Sequence, residues 1–398
     1  MAVPVRVSAH QAAAVLCLVE LLGMSLWFTA SAVTPQLQLR WSLGPEAAGW
    51  LTTIVQLGFV AGTALAALLN LADVWSARWL VAGSCVLAAT ANALVVVTEQ
   101  YGFALTMRFL TGVFLAGVYP PGMKMMATWF ARNRGLAIGA LVGALTVGKA
   151  LPFLVRAIQN MEANFVVWSA SLGAVIAAVT VLLFYQDGPH TFERRPFSIK
   201  LVGTVVRHRE TRLAIAGYLG HMWELYAMWS LIAVFFMEYF TGISTHADAS
   251  SGIAAFGAIA IGGIGCVVAG KWADKVGRER VTIWSMIVSG GCALLMGWTL
   301  QWPPVFTLAL ALLWGFAVVA DSAQFSAIVT EVAPKHAVGT ALTLQTSLGF
   351  LLTAFTIWLT IALQRRFGWG IAFGVLALGP VFGIVQMSTL RRLRSPSK

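Results

Sequence analysis

The chain has 398 residues, of which 59% are hydrophobic and 10% charged, and its net charge is +11. A soluble domain carries about 25% charged residues, so this composition excludes an ordinary water-soluble enzyme or binding domain. A run of about 20 apolar residues can cross the bilayer, and it must then be helical because no water is there to satisfy the backbone. The composition therefore predicts an all-α integral membrane protein.

Twelve long apolar runs fill almost the whole chain, and each is predicted as one membrane-spanning helix. Spans 1 to 6 are predicted at residues 10–34, 47–70, 79–98, 103–130, 134–157 and 163–185. Spans 7 to 12 are predicted at residues 212–238, 250–271, 281–300, 304–330, 338–363 and 368–390. The first run is too long for a secretory signal and lacks a clear cleavage site, so we expect it to be retained as a helix.

The basic residues are unevenly distributed between the two ends of the spans. With the N-terminus inside, 20 of the 26 Lys and Arg fall on the cytoplasmic side, and two, Arg108 and Lys149, lie within spans. The four on the other side are Arg40, Arg156, Arg365 and Arg366. Cytoplasmic loops carry such an excess, so we expect a multi-pass protein of the cytoplasmic (inner) membrane with both termini in the cytoplasm. The positive charge is thereby explained by the lipid bilayer, without nucleic acid as a partner.

A polar stretch at residues 186–211 divides the chain and is predicted as a cytoplasmic linker. It separates an N-terminal six-helix bundle at 1–185 from a C-terminal six-helix bundle with a short basic tail at 212–398. Residues 198–212 can form a short amphipathic helix on the membrane surface.

The two parts also match each other in sequence at a constant offset. Glu20 corresponds to Glu224, Gly58 to Gly262 and Gly135 to Gly339. Each match is weak alone, but all three occur at one spacing and in corresponding spans. Together they predict a duplicated unit, and hence two pseudo-symmetric six-helix bundles.

The loop between spans 8 and 9 combines glycines, an aspartate and basic residues, and it reads Gly270-Lys271-Trp272-Ala273-Asp274-Lys275-Val276-Gly277-Arg278. It resembles the cytoplasmic loop signature G-x-x-x-D-[RK]-x-G-[RK] of the major facilitator superfamily (MFS). In such a loop Gly allows a tight turn and Asp can accept from a neighbouring helix end. Any short cytoplasmic loop is basic, but the Gly and Asp spacing favours the family. The predicted gating residues are Asp73, Arg78, Gly270, Asp274, Lys275, Gly277 and Arg278; the first two come from the matching loop between spans 2 and 3, which has lost the glycines.

Further stretches resemble the same family. Span 4 contains Arg108-Phe109-Leu110-Thr111-Gly112, which resembles the family element R-x-x-x-G, and span 5 begins Arg134-Gly135-Leu136-Ala137-Ile138-Gly139. The resemblance covers essentially the whole chain. It implies a secondary transporter in which two six-helix bundles rock about a site near the membrane midplane. It also implies that spans 1, 4, 7 and 10 line a central cavity, and that Arg108 takes part in substrate or proton coupling.

Six ionisable side chains lie deep within the predicted spans: Glu20, Arg108, Lys149, His221, Glu224 and Asp321. A charged side chain at the bilayer centre costs about 3 kcal/mol on the mildest scale, so these groups should face a cavity or pair with one another. Five of them lie on spans 1, 4, 7 and 10, the spans that line the cavity in MFS proteins. We therefore predict a single polar site between the two bundles.

Proton coupling is predicted for Glu20, Glu224, His221 and Asp321. Low-dielectric surroundings disfavour the charged form of a carboxyl group, so a buried Glu can hold a proton. His221 lies three residues before Glu224, on the same helix face, and a His–carboxylate pair can titrate near neutral pH. Other roles stay open: the two Glu can brace helices, His221 can simply pack, and Asp321 can cap or gate.

Substrate binding is predicted for Arg108, Lys149, His221, Gln56 and Gln345. The two cations would attract an anionic or carboxylate-bearing solute once protonation of Glu20 and Glu224 frees them from pairing. Alternatively, Arg108 is a structural partner of Glu20, and Lys149 is a permanent counter-ion to a carboxylate.

The expected function is proton-coupled symport of a small anionic solute by a monomer that uses no cofactor and no metal. The alternative is proton-driven efflux antiport of drugs or metabolites; a more remote one is a membrane sensor, which would need an appended soluble domain. An enzyme would need a nucleophile–base or metal constellation, and none can be assembled. Clustered Met123, Met125 and Met126 fit apolar filling better than a metal route. We therefore expect small molecules and protons as partners.

Overall fold

A computed structural model describes residues 7–69, 71, 75–130, 134–159, 162–190 and 198–394. Within these ranges every regular element is a helix, which confirms the all-α class for the described part. The longer helices are α1 Ala9–Met24, α2 Thr29–Ala32, α3 Thr34–Trp41, α4 Pro45–Leu68, α5 Ala77–Leu94, α6 Tyr101–Leu115, α7 Tyr119–Ala127, α8 Arg134–Gln159, α9 Ala163–Phe184, α10 Ile199–Arg207, α11 Arg209–Thr241, α12 Ala247–Val276, α13 Arg278–Met296, α14 Pro304–Ala320, α15 Ser322–Val332, α16 Val338–Gly374 and α17 Leu378–Arg394.

Nine helical stretches among the described residues are long and apolar enough to cross a membrane. The longest, Lys335–Arg394, contains two predicted spans, and its helix is interrupted at Gly368, where φ is 79°. Only glycine adopts this backbone region without strain, so Gly368 marks the boundary between spans 11 and 12. Span 1 is shorter than predicted because α1 ends after 16 residues. A protein with many membrane-spanning helices is thus confirmed, while the number twelve stays a prediction.

Three spans that we predicted as continuous helices are broken in the structure. Span 1 leaves helical geometry between α1 and α2, and span 4 is interrupted between α6 and α7. Span 10 is divided at Asp321. In span 4 the second helix begins at Tyr119, and Pro120 and Pro121 follow in its first turn. Proline fits there because the N–H groups of a first helical turn lack intrahelical partners. Apolar composition does not reveal such breaks, so the prediction of unbroken helices was wrong here.

Two lines of contact join the helices before residue 190 to those after residue 198. One is α8 against α12 and the other is α4 against α16; we call them the α8–α12 seam and the α4–α16 seam. In the first, backbones approach closely: a Cβ on Gly139 would lie 2.6 Å from the carbonyl oxygen of Cys266, and one on Gly143 would lie 2.7 Å from that of Gly263. Small residues let membrane helices approach in this way.

The two ends of the helices define two faces of the molecule. Residues 186–190, 270–278 and 333–338 lie at one face, called the linker side, and residues 42–46 and 241–247 lie at the opposite side. The predicted amphipathic segment is α10, which is shorter than predicted because α11 already begins at Arg209. The Ser198 N–H donates to the Thr340 hydroxyl at 3.0 Å, which fixes the start of α10 against α16.

Candidate functional site

The ammonium group of Lys149 lies in a box of aromatic side chains where the two groups of helices meet. It donates to the Tyr226 hydroxyl at 2.5 Å and lies 4.1 Å from the centre of the Trp27 ring and 5.4 Å from that of Trp229. Lys149 is 2% exposed. An ammonium has three donors, so after the bond to Tyr226 two remain for a further acceptor. Cation–π attraction holds the charge but does not neutralise it.

Residues from both groups of helices build this box, which we call the aromatic box. It consists of Trp27, Phe28, Phe59, Tyr226, Trp229 and Phe350. The Phe59 and Phe350 rings meet across the α4–α16 seam with centroids 4.5 Å apart. None of these rings was predicted from the sequence, because aromatic residues in an apolar span are typical of ordinary packing.

Several buried polar atoms near the box have no hydrogen-bond partner among the described residues. They include both amide atoms of Gln56 and of Gln345, and the indole nitrogens of Trp27 and Trp229. Gln56 lies one turn before Phe59 on α4, and Gln345 lies on the first part of α16. A buried polar group left unpaired costs about 1–3 kcal/mol, so these atoms mark a place where a ligand would gain hydrogen bonds.

Arg108 is occupied by the protein itself. Its guanidinium donates to the carbonyl oxygens of Leu51, Leu26 and Trp27 at 3.2, 3.0 and 2.5 Å, and also to the side chains of Thr29 and Asn92. Leu26 and Trp27 lie in the break between α1 and α2, whose free carbonyls need donors. Arg108 therefore stabilises this break. The predicted pairing with Glu20 is not formed in this structure.

Glu20 lies on α1 with 1% of its surface exposed. Neither carboxylate oxygen has a hydrogen-bond partner within the described ranges. The carboxyl group lies against Gly122 of α7, where any Cβ would overlap it. A buried carboxyl group without a hydrogen-bond donor is energetically costly, which makes Glu20 an unusual feature of an apolar helix.

Glu224 occupies a different environment from its sequence counterpart. Its two oxygens accept from the Ser289 hydroxyl at 2.8 Å and from the Trp314 indole N–H at 2.6 Å. These donors come from α13 and α14, so Glu224 is held entirely by helices of the C-terminal group. Ser289 and Trp314 were missed in the sequence, where a serine and a tryptophan 25 residues apart show no pattern.

His221 has a carboxylate partner, but it is Asp321 and not Glu224. The His221 Nδ1 atom lies 2.9 Å from the Asp321 carboxylate, and both residues are at most 2% exposed. The prediction of a His221–Glu224 pair was therefore wrong in its partner. Asp321 reaches His221 because it stands at the break between α14 and α15. His221 Nε2 has no partner among the described residues.

The predicted loop between spans 8 and 9 is mostly helical, because α12 continues to Val276, but the turn at its end is formed. Gly277 ends α12 with φ 93°, a conformation that favours glycine. Arg278 donates to Glu331 at 2.7 Å and to Gln324 at 2.8 Å, which joins α13 to α15. Lys275 is exposed, whereas Arg78 is half-buried in the first turn of α5. Asp73 lies outside the described residues.

The last turns of α12 touch the N-terminal helices. A Cβ on Gly135 would lie 2.7 Å from the Asp274 carboxylate, and one on Gly270 would lie 2.5 Å from the Gly135 carbonyl oxygen. Asp274 therefore lies against the first turn of α8, where the positive end of the helix dipole attracts a carboxylate. This contact supports the α8–α12 seam on the linker side.

On the opposite side, two ion pairs cross the seams. Arg156 of α8 pairs with Asp248 of α12. Arg365 of α16 pairs with Glu46 of α4 at 2.7 Å. Each pair fixes one seam at the end remote from the linker.

The six deep ionisable groups thus do not form one shared cluster. Lys149 lies in the aromatic box, Arg108 supports the α1–α2 break, and Glu20 lies against α7. Glu224 has its own donors, and His221 pairs with Asp321. The sequence correctly located polar groups on the inward faces of the helices, but it did not show how they are partnered.

A family model described as Major Facilitator Superfamily matches residues 15–357. The chain belongs to this family and is therefore a multi-pass membrane protein.

Among curated proteins, the chain is similar to MFS transporter asaE of Aspergillus flavus, with 24% identity over 68% of this chain and 60% of the relative. It is 23% identical to Protein spinster of Drosophila melanogaster over 51% of this chain and 35% of that protein. It is 27% identical to the Shikimate transporter of Escherichia coli over 34% of this chain and 33% of that protein. The match spans less than two thirds of each relative's length.

Proposed function

We propose that this chain transports a small carboxylate-bearing or otherwise anionic solute, which binds at Lys149 between the two groups of helices. The observation that carries the proposal is the Lys149 ammonium, buried in the aromatic box with one hydrogen bond and no carboxylate within ion-pair distance among the described residues. Glu20 acts on this charge electrostatically but not as a close ion pair, and a buried charge without a close counter-ion costs several kcal/mol. An anionic ligand would remove that cost.

The surroundings of Lys149 favour an organic anion over a small inorganic one. The rings of the aromatic box offer apolar faces, and the unpaired amides of Gln56 and Gln345 can donate and accept. An organic acid with a compact apolar body and a few polar groups fits this set. One relative is named a Shikimate transporter, which is consistent with an organic acid, although that match covers only 34% of this chain.

Proton coupling is the second part of the proposal. Glu20 can bind a proton without breaking any bond among the described residues, because its oxygens have no partners there. The His221–Asp321 pair and Glu224 are further proton acceptors on helices of the C-terminal group. With twelve spans in two six-helix bundles, the α8–α12 and α4–α16 seams would be the surfaces along which the bundles rock.

The proposed topology predicts which sites a membrane-impermeant thiol reagent can reach. In a chain whose four native cysteines are replaced, Ser198→Cys is expected to react only after cells are opened, since the linker side is proposed to be cytoplasmic. Ala247→Cys, at the start of α12, is expected to react in intact cells. Labelling of Ser198→Cys in intact cells would contradict the proposed orientation.

Lys149→Ala tests the solute site. We expect this change to weaken binding of the anionic solute by tenfold or more, which is about 1.4 kcal/mol or more, because the carboxylate loses its charge partner. The solute would first be identified by thermal-shift screening of purified protein with organic acids, inorganic anions, amino acids, sugars and cationic drugs. Affinity is then measured by titration calorimetry.

Lys200→Ala is the matched control, since Lys200 is exposed on α10. It should leave the affinity unchanged. Equal affinity in wild type and Lys149→Ala, with only reduced expression of the latter, would mean that Lys149 is structural and would remove the argument for an anion.

The second candidate is proton-driven efflux of cationic drugs or metabolites. It is favoured by one observation: the rings around Lys149 form a cage of the kind that binds cations, including quaternary ammonium groups. On this alternative Lys149 competes with the solute for the box. Lys149→Ala would then strengthen the binding of a quaternary ammonium probe, which is the reverse of the result expected for an anion.

A further inference from the structure

A cavity lies between the two groups of helices on the opposite side, with a volume of about 140 Å³. The residues that line it include Ser31, Thr52 and Ser230, the basic residue Arg365 and the apolar residue Ile357. This volume is large enough for a ligand of several non-hydrogen atoms. The Ser230 hydroxyl is buried and has no hydrogen-bond partner within the described ranges.

The cavity lies directly above the aromatic box along the same helices. Thr52 lines the cavity four residues before Gln56 on α4, a rise of about 6 Å along the helix axis. Ser230 follows Trp229 on α11, and Ile357 lies two turns beyond Phe350 on α16. Each of these helices therefore contributes to both places, and in each case the cavity residue is the one nearer the opposite side. The cavity therefore lies next to the aromatic box, on the side remote from the linker.

Among the described residues of the cavity wall, Arg365 is the one with a cationic side chain. Its ion-pair partner Glu46 can be replaced by another anion. It pairs with Glu46 at 2.7 Å, but the two side chains are 43% and 75% exposed. Exposed ion pairs of this kind contribute at most about 1 kcal/mol, because water and salt compete for both charges. An anion in the cavity can therefore replace Glu46 with little loss.

From this arrangement we propose that the cavity is an outer subsite of the solute path, in which Arg365 binds the carboxylate of the solute in place of Glu46. The proposal rests on the proposed function, since it extends the same solute path from Lys149 to the opposite side. Loss of the Arg365–Glu46 pair would at the same time remove one contact at the outer end of the α4–α16 seam.

The test measures the charge preference of the cavity and needs no identified solute. Ser230→Cys is introduced into the full chain with its four native cysteines replaced. Intact cells are treated with an anionic reagent, 2-sulfonatoethyl methanethiosulfonate, or a cationic one, 2-(trimethylammonium)ethyl methanethiosulfonate. Arg365→Gln is expected to lower the ratio of anionic to cationic labelling rates by roughly three- to tenfold, as one charge a few ångströms away does in water. Glu46→Gln is expected to raise the ratio.

Arg40→Gln is the matched control, because Arg40 is also paired on the opposite side but with Glu99 and away from the cavity. It should leave the ratio unchanged. Sodium benzoate should slow labelling of Ser230→Cys, and neutral benzamide should not. An unchanged ratio in Arg365→Gln, or equal effects of benzoate and benzamide, would overturn the proposal.

Should Ser230→Cys fail to react, Ile361→Cys in the same wall is the second position, with Ala247→Cys as the accessible reference. Reaction at Ala247→Cys but at neither cavity position would also overturn the outer subsite. These results are independent of the Lys149→Ala binding experiment. A charge preference set by Arg365 together with unaltered binding in Lys149→Ala would disprove the central solute site alone.

Discussion

Glu20→Gln is expected to abolish accumulation of the solute against its gradient while leaving folded protein in the membrane. Glutamine has the shape of the protonated side chain but cannot release a proton, so a carrier that depends on Glu20 loses its coupling. The change should cost little stability, because the carboxylate oxygens have no hydrogen-bond partners to lose among the described residues. Uptake driven by an imposed proton gradient, measured in proteoliposomes, checks the result. Exchange of solute for solute should persist.

Glu224→Gln is expected to have the same effect on accumulation, but it is also expected to lower the stability of the protein. Glu224 accepts from both Ser289 and Trp314, and a glutamine NH₂ group would face one of these donors. Leaving that donor unpaired costs about 1–3 kcal/mol, so some loss of stability accompanies the loss of coupling. Glu99→Gln serves as the control, because Glu99 is exposed and pairs with Arg40. Wild-type accumulation in both Glu20→Gln and Glu224→Gln would mean that these carboxyls are structural.

Arg108→Met is expected to cost the protein most of its stability, by at least about 3 kcal/mol. Methionine fills much of the space of the arginine but donates nothing to the carbonyls of Leu26, Trp27 and Leu51. The carbonyls of Leu26 and Trp27 are buried at the break after α1, where water cannot replace the lost donors, and that of Leu51 lies in the neighbouring helix α4. We expect a large fall in melting temperature in detergent and a low yield of monodisperse protein.

Arg108→Lys distinguishes support of the break from a direct role in transport. A lysine keeps the charge but has three donors in place of five, and it cannot reproduce the planar fork. If Arg108 acts by supporting the break between α1 and α2, Arg108→Lys should also have a lowered melting temperature. The control variant Arg40→Gln should keep the wild-type melting temperature. A variant with wild-type melting temperature and no transport would instead restore the substrate or coupling role predicted from the sequence.

The family and the helical class could be predicted from the sequence because both depend on features that repeat along the chain. Apolar runs report helices that cross the bilayer, and the spacing of Gly270, Asp274 and Gly277 reports a turn of fixed geometry. The structure bears out that turn, since Gly277 has the φ of 93° that glycine favours.

The partners of the buried groups could not be predicted, because partners are chosen by tertiary packing. His221 and Glu224 share a helix face, yet the break at Asp321 brings a carboxylate from α14–α15 closer to the histidine. Likewise, nothing in span 4 shows that Arg108 would find free carbonyls, since the break in span 1 is invisible in its apolar sequence. The aromatic box was missed for a related reason: Trp27, Tyr226 and Phe350 come from three distant segments.

The glycines of the α8–α12 seam have a mechanical consequence. Where Gly139 and Gly143 face the backbone of α12, the two backbones meet without side chains from these positions between them. Two helices that meet in this way can slide or rotate by a few degrees without forcing side chains into new rotamers, whereas interlocked ridges would have to disengage first. The two helices of the seam can therefore shift against each other with little repacking of side chains. Resistance to such a shift would come mainly from the polar contacts at the two ends of the seam, where Asp274 and the Arg156–Asp248 pair lie.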